Sequence, residues 1–129
     1  MTGMRIEEAV GLRVAGLREL IGMSQAHLGR QLGGFLPRPW PRQTVYVAEG
    51  GGRKFTVAEL VAIAIVLDLP VAHLLIMPPG VEALLLPGGG EAGRGVFQGA
   101  QQEGGGGLLI STVINEIGTA VKSYEEEIG

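Results

Sequence analysis

Cysteine is absent from this 129-residue chain, so disulfide bonds and thiolate metal sites are excluded. The chain has only two histidines, His27 and His73, and neither belongs to a cluster of metal-binding residue types. No apolar run approaches the roughly 18 residues that a membrane-spanning helix needs. We therefore expect neither a metal site nor a membrane segment.

Residue patterns of secretion and of catalysis are also absent. The first residues do not combine a basic segment with an apolar one, so no signal peptide is expected and the protein is predicted to be soluble and cytoplasmic. No nucleophile with a base and no acid–base pair stands out, so we expect no enzyme and no cofactor. The hydrophobic content of 46% suffices for a packed core, and the length fits one domain with an appendage.

Acidic residues outnumber basic ones, giving a formal net charge of −3, but the two signs are separated along the chain. Residues 1–79 contain eight basic and six acidic residues, a balance of +2, whereas residues 80–129 contain two and seven, a balance of −5. Within residues 24–54, five basic residues accompany one acidic residue, a local charge of +4. This concentration is typical of a phosphate-contacting surface, and an ordinary scatter of solvated charges is the alternative.

Apolar spacing and capping residues predict three helices in the first 49 residues. Apolar positions three and four residues apart indicate a first helix at 6–21. Ser24 is suited to cap a second helix at 25–32. A third helix is predicted from Pro41 to Glu49, because proline fits a first helical turn.

The connection between the second and third helices is long and contains three prolines. Its apolar residues Phe35, Leu36 and Trp40 indicate that parts of it fold back onto the core. For Trp40 we predict packing in the core, and stacking on a nucleotide or a ligand is the alternative.

Two further helices are predicted after residue 55. Thr56 and Glu59 form a capping box that opens a fourth helix. This helix is apolar on nearly all sides, which is typical of a helix at the centre of a core or at an interface. Pro70 starts a fifth, short helix at 71–76, which two prolines stop.

Five short segments between residues 11 and 78 occur in an order and at a spacing shared with a known family. They are Leu17-Arg18, Met23-Ser24-Gln25-Ala26-His27-Leu28, Gln43-Thr44-Val45 with Ala48-Glu49-Gly50, Glu59-Leu60-Val61-Ala62-Ile63-Ala64, and Leu69-Pro70-Val71 with Leu74-Leu75. Together they resemble the lambda-repressor-like (Cro/cI, XRE-type) helix-turn-helix family of bacterial regulators. The chain departs from the family in its turn, because residues 33–40 exceed the usual three or four residues.

The resemblance implies an all-α fold with a compact five-helix helix-turn-helix domain, which we place at 5–79. A glycine-rich linker at 80–107 and an amphipathic helix at 108–129 follow. The implied function is sequence-specific transcriptional regulation without catalysis. The implied partner is double-stranded DNA, bound by a homodimer whose recognition helices lie about 34 Å apart.

In the family, the first residues of the third helix enter the major groove, and the matching candidates here are Arg42, Gln43, Thr44 and Tyr46. Arginine can bond guanine O6 and N7, and glutamine can bond adenine N6 and N7. Thr44 can reach a phosphate or a thymine methyl group. For Arg42 and Gln43 the alternative is a plain solvated helix start.

Further candidates would contact the DNA backbone. In the family, the glutamine that matches Gln25 binds a phosphate, and a solvated N-terminal residue is the alternative here. Arg38 in the turn, and Arg53 and Lys54 after a run of three glycines, complete the predicted DNA-binding set. For Glu49 we expect a structural pairing with a local arginine.

The C-terminal segment carries a second apolar pattern. Residues 110, 114, 117, 121, 124 and 128 form a heptad-like seam of about two and a half heptads, short for a coiled coil. Self-association, docking on the N-terminal domain, or a strand at the start of the segment remain open. A protein partner would make the chain an interaction module, as in an antitoxin or adaptor, which is the alternative function.

Overall fold

A computed structural model of the chain describes residues 3–98. Contacts divide the chain into two units, residues 1–91 and 92–129. The predicted C-terminal helix at 108–129 lies outside the described residues. The elements are β1 (Met4–Arg5), α1 (Ile6–Leu20), α2 (Gln25–Leu32), α3 (Arg42–Glu49), α4 (Val57–Leu67), a 3₁₀ helix (Val71–Leu75), β2 (Ala83–Leu85), β3 (Glu91–Gly93) and α5 (Arg94–Gln98).

Local capping chemistry sets the ends of the helices as predicted. The Ser24 hydroxyl accepts a hydrogen bond from the backbone N–H of His27 at 3.0 Å, which opens α2. Thr56 and Glu59 form the predicted capping box of α4, with reciprocal bonds of 3.0 and 2.9 Å. Asp68 ends α4 in the left-handed region, with φ of 58°. The fifth predicted helix is a tighter 3₁₀ helix.

A single apolar core lies beneath the helices. The buried side chains come from α1, α2, α3, α4 and the 3₁₀ helix, and the largest fully buried ones are Val14, Leu28, Leu32, Val45, Ile63 and Leu74. Burying a side chain of this size contributes about 1.5–3 kcal/mol. The core therefore fixes the position of α3 relative to the other helices.

Glycine allows two backbones to touch beside α3. A Cβ atom at Gly11 of α1 would lie 2.5 Å from the carbonyl oxygen of Ala48, so α1 crosses directly against the end of α3. A Cβ atom at Gly29 of α2 would overlap the carbonyl oxygen of Trp40, just before α3 begins. Both ends of α3 are thus held where only glycine leaves room.

The predicted all-α fold is confirmed in part: the described residues are mostly helical, but they also include a three-stranded sheet in the order β1-β2-β3. Strands β1 and β2 are parallel, with Met4 opposite Leu84 and Arg5 opposite Leu85. Strands of two or three residues are too short to show alternation, and these partners lie far apart in sequence. Strands β2 and β3 occupy residues that composition assigned to the linker, while the domain boundary at residue 79 stays a prediction.

Candidate nucleic-acid interface

The long connection between α2 and α3 is anchored at its far end. The backbone N–H of Trp40 donates to the carbonyl oxygen of Gly29 at 3.0 Å. Leu36 and Trp40 pack half-buried against the core, as predicted, whereas Phe35 is exposed. Pro41 then caps α3 in extended geometry. The extra residues therefore form an excursion, and α3 still packs against α2.

The first turn of α3 presents the predicted base-reading side chains together. Arg42, Gln43 and Tyr46 are exposed, and Thr44 is half-buried. Val45 and Ala48 face the core, as their spacing predicted. Arg42 forms no ion pair within residues 3–98. Its guanidinium is thus available to an outside acceptor.

A buried ion pair holds the other end of α3. Arg18 Nε donates to Glu49 Oε2 at 2.6 Å, and Arg18 Nη2 donates to Glu49 Oε1 at 2.9 Å. The two side chains are 8% and 7% exposed. These hydrogen bonds raise the pKa of Arg18, which stays charged. The predicted pairing of Glu49 with a local arginine is confirmed. Because Arg18 lies on α1 and Glu49 on α3, the pair joins the first and third helices.

Gln25 extends this pair into a three-helix network. Its Nε2 donates to Glu49 Oε1 at 2.8 Å, which connects the start of α2 to the end of α3. An amide nitrogen carries two hydrogens, so Gln25 keeps one donor for a phosphate. The predicted DNA contact of Gln25 stays a prediction, and the structure adds an orienting partner.

Arg53 is engaged within the protein. Its Nη1 and Nη2 donate to Glu59 Oε1 and Oε2 at 3.2 and 3.1 Å, and its guanidinium lies 4.5 Å from the centre of the Trp40 ring. Burial raises the pKa of Glu59, but hydrogen bonds from Arg53 and Thr56, together with the Arg53 charge, outweigh burial and lower it. Lys54, the neighbouring candidate, is exposed.

Within the described residues, ion pairs leave a set of basic residues without an acidic partner. Glu49 is neutralised by Arg18, and Arg53 by Glu59. Four basic residues of segment 24–54 form no ion pair in the part of the chain that the structure describes: Arg30, Arg38, Arg42 and Lys54. We refer to these four residues as the basic face.

Two residues of the site were missed by sequence reasoning. Arg30 belongs to the basic face, and its position in the locally positive segment was the available signal. Arg18 was noted only as part of a family pattern. Its spacing of four residues from the buried Val14 places it on the core side of α1, which was the available signal of burial.

The described residues contain neither a metal-ligand cluster nor a membrane-spanning helix. Between residues 3 and 98, no group of three or more histidine, aspartate or glutamate side chains is arranged to hold a metal ion. Among the same residues, no helix is both long and apolar enough to cross a bilayer. Helices α2 and α3 packed on α1 and α4, with α3 exposing its first turn, form the arrangement of a helix-turn-helix domain.

No protein-family model and no curated protein matches the chain. Similar solved structures include the restriction-modification controller protein C.AhdI from Aeromonas hydrophila. It is 26% identical, over 53% of this chain and 94% of the controller, with a TM-score of 0.47. The DNA-binding domain of BldD is also 26% identical, over 54% of this chain and 93% of that domain, with a TM-score of 0.47.

Hydroxypropylphosphonic acid epoxidase from S. wedmorenis is similar over 62% of this chain but only 38% of the epoxidase. Its identity is 26% and its TM-score 0.49. All three TM-scores are below 0.5. The function proposed for this chain therefore rests on its own residues.

Proposed function

We propose that this chain is a cytoplasmic, sequence-specific, DNA-binding transcriptional regulator of the XRE type, without catalysis. The observation that carries the proposal is the exposed first turn of α3, where Arg42, a member of the basic face, is exposed together with Gln43 and Tyr46. A helix in the major groove must be held rigidly to read base edges. The Arg18–Glu49 pair and the close crossing at Gly11 meet that requirement.

The side chains divide into readers and anchors. Arg42 and Gln43 are the base readers, through bidentate bonds to guanine and adenine, and Tyr46 and Thr44 flank them. Four predicted backbone contacts anchor the domain without reading sequence: Gln25, Arg38, Arg53 and Lys54. Arg53 has the weakest claim among them, because Glu59 already occupies its two terminal nitrogens.

We include a homodimer in the proposal, and an exposed stripe on α4 supports it. Val57, Val61 and Ile65 recur every fourth residue and are 77%, 43% and 50% exposed. An apolar stripe on a soluble domain favours a partner surface. A dimer formed here or through the predicted C-terminal helix would present two α3 helices to a near-palindromic site.

The same stripe favours the second candidate, an interaction module that binds another protein, such as an antitoxin or adaptor. The two functions differ in their response to salt. Phosphate contacts release counterions, so the affinity for DNA falls steeply with ionic strength. The affinity for a protein bound through apolar contacts does not fall in this way.

Affinity for random-sequence duplex DNA, measured by fluorescence anisotropy at 50 and 200 mM salt, separates them. The proposal requires binding that weakens at least about tenfold over this range, since about two phosphate contacts already produce a change of that size. Failure to bind duplex DNA at 50 mM salt would leave the interaction module as the better account.

A further inference from the structure

A cleft of about 590 Å³ lies apart from the first turn of α3, within the first unit of the chain. Its walls come from three places: the start of the chain, the loop after α3, and the segment that follows β2. Its lining includes the basic residues Arg5, Arg53 and Lys54 and the apolar residues Leu85, Leu86 and Pro87. A volume of this size falls in the range of about 300–1,000 Å³ that small-molecule sites occupy.

Basic residues outnumber acidic residues in the lining of the cleft. Three cationic side chains contribute to it, against one carboxylate, Glu7. Arg5 is held by the Gly51 carbonyl oxygen, to which its Nη1 donates at 3.2 Å, and Arg53 is held by Glu59. Lys54 forms no hydrogen bond or ion pair between residues 3 and 98. Arg5 also lies 3.9 and 3.5 Å from the carboxylates of Glu7 and Glu8, so both arginines of the cleft are paired, and the Lys54 ammonium group keeps three available donors.

The lining of the cleft also contains apolar residues. Leu86 is 38% exposed, and Leu85 and Pro87 adjoin it. A phosphodiester alone would make no favourable contact with these apolar residues, because its charged oxygens gain nothing from a hydrocarbon surface. A hydrocarbon chain that displaces water from them would gain about 25 cal/mol per Å² of buried apolar area.

We propose that this cleft binds a small amphipathic anion, an aliphatic or aromatic chain that ends in a phosphate or carboxylate group. The anionic end contacts Lys54, and the chain lies against Leu85 and Leu86. Binding does not depend on the function proposed above. Its consequence does: Lys54 is also a predicted DNA-backbone contact, so the bound anion competes with DNA and weakens DNA binding.

Calorimetric titration of the full chain with three probes tests the site. Hexyl phosphate carries both features, inorganic phosphate has only the charge, and 1-hexanol has only the chain. We expect hexyl phosphate to bind at least about tenfold more tightly than either of the other two, a difference of about 1.4 kcal/mol. Trp40, the chain's single tryptophan, lies under Arg53, so its fluorescence gives an independent readout. Equal affinities, or no binding of hexyl phosphate at millimolar concentration, would overturn the proposal.

Two substitutions locate the bound molecule, and one controls for charge. Lys54→Gln removes the available ammonium, and Leu86→Asn replaces an apolar lining residue with a polar one at a half-exposed position. Lys54→Gln should weaken hexyl phosphate binding by about tenfold, the loss expected for one charged hydrogen bond, and Leu86→Asn should weaken it through the lost apolar contact. Arg30→Gln removes an exposed charge on α2 outside the cleft and should leave the affinity unchanged. Equal weakening by Lys54→Gln and Arg30→Gln would reduce the effect to net charge and overturn the site.

Competition with DNA tests the consequence separately. Hexyl phosphate at saturating concentration should weaken binding of duplex DNA, and 1-hexanol should not. Unchanged DNA affinity at saturation would overturn the competition while the calorimetric site stands. Absence of DNA binding altogether would contradict the proposed function, and calorimetry would still decide the site.

Discussion

Arg18 and Glu49 form a two-bond ion pair, with Nε–Oε2 and Nη2–Oε1 distances of 2.6 and 2.9 Å, between the last turn of α1 and the last residue of α3. Arg18 Nη1 also donates to the carbonyl oxygen of Met23 at 2.7 Å. Both side chains are nearly shielded from water, so each needs the other to balance its buried charge. The pair fixes α3 against α1 and leaves the opposite end of α3 exposed.

Removing one partner of this pair should destabilise the domain strongly. Glu49→Leu leaves the buried Arg18 charge with only the exposed Glu19 carboxylate, 3.6 Å away, as an ionic partner, and we expect a loss of about 3–5 kcal/mol in the free energy of unfolding. Urea denaturation followed by circular dichroism measures it. The double variant Arg18→Met/Glu49→Leu should recover most of the loss. A cost below about 1 kcal/mol, the value typical of exposed pairs, would contradict the buried pair.

Two glycines of α1 should respond oppositely to alanine. Gly11→Ala places a Cβ atom 2.5 Å from the Ala48 carbonyl oxygen, so we expect a loss of about 1–3 kcal/mol from overpacking. Gly16→Ala meets nothing within 4 Å in the same helix and should stabilise it by about 0.5–1 kcal/mol. Thermal unfolding of the two variants compares them directly. Equal effects of the same sign would show that α1 does not cross α3 in this way.

Glu59 should make stability depend on pH. Its pKa in the folded protein is below the ordinary value of 4.5, so its contribution is present above pH 4.5 and is lost as the pH falls through the folded value. Glu59→Gln keeps a capping side chain but loses the charge that faces Arg53. The substitution should therefore cost more stability at pH 7 than at pH 3.

Urea unfolding at both pH values tests this, with the exposed Glu82→Gln as the matched control. Glu82→Gln should show little change between the two pH values. A cost of Glu59→Gln that is the same at pH 7 and pH 3 would mean that its charge contributes nothing to stability.

Sequence reasoning recovered what depends on neighbouring residues. The bounds of α2, the capping box at Thr56 and the inward faces of Val45 and Ala48 all follow from spacing and capping chemistry. Three contacts join residues that are distant in sequence or depend on a loop conformation that only the packing of the whole fold determines. They are the contacts of Arg5 with Gly51, of Arg53 with Trp40, and of β1 with β2. For that reason the sequence did not predict the sheet. It also did not predict the internal contacts of Arg53, which distinguish Arg53 from Lys54.

Arg42 should read bases, whereas Lys54 should contact only the backbone. Arg42→Ala is expected to cost about 1–3 kcal/mol and to relax specificity at one base pair, and Arg42→Lys should not restore it because lysine lacks the bidentate fork. Lys54→Gln should weaken binding equally on all sequences and lower the salt slope by about one. Electrophoretic mobility shifts on matched and mismatched duplexes measure both effects.

Arg13→Gln is the control for net charge, because Arg13 lies on α1 and donates to the His73 carbonyl oxygen, away from the first turn of α3. It should change affinity little. If Arg42→Ala weakens all sequences equally, Arg42 is a phosphate contact and not a base reader.

Selection from random-sequence duplex DNA, followed by sequencing, tests sequence-specific binding most directly. The account predicts enrichment of a two-fold symmetric motif with half-sites about 10 base pairs apart. The Arg42→Ala variant should lose information at one position of each half-site. Binding without any enriched motif, abolished at moderate salt, would contradict sequence-specific regulation and leave only electrostatic attraction to DNA.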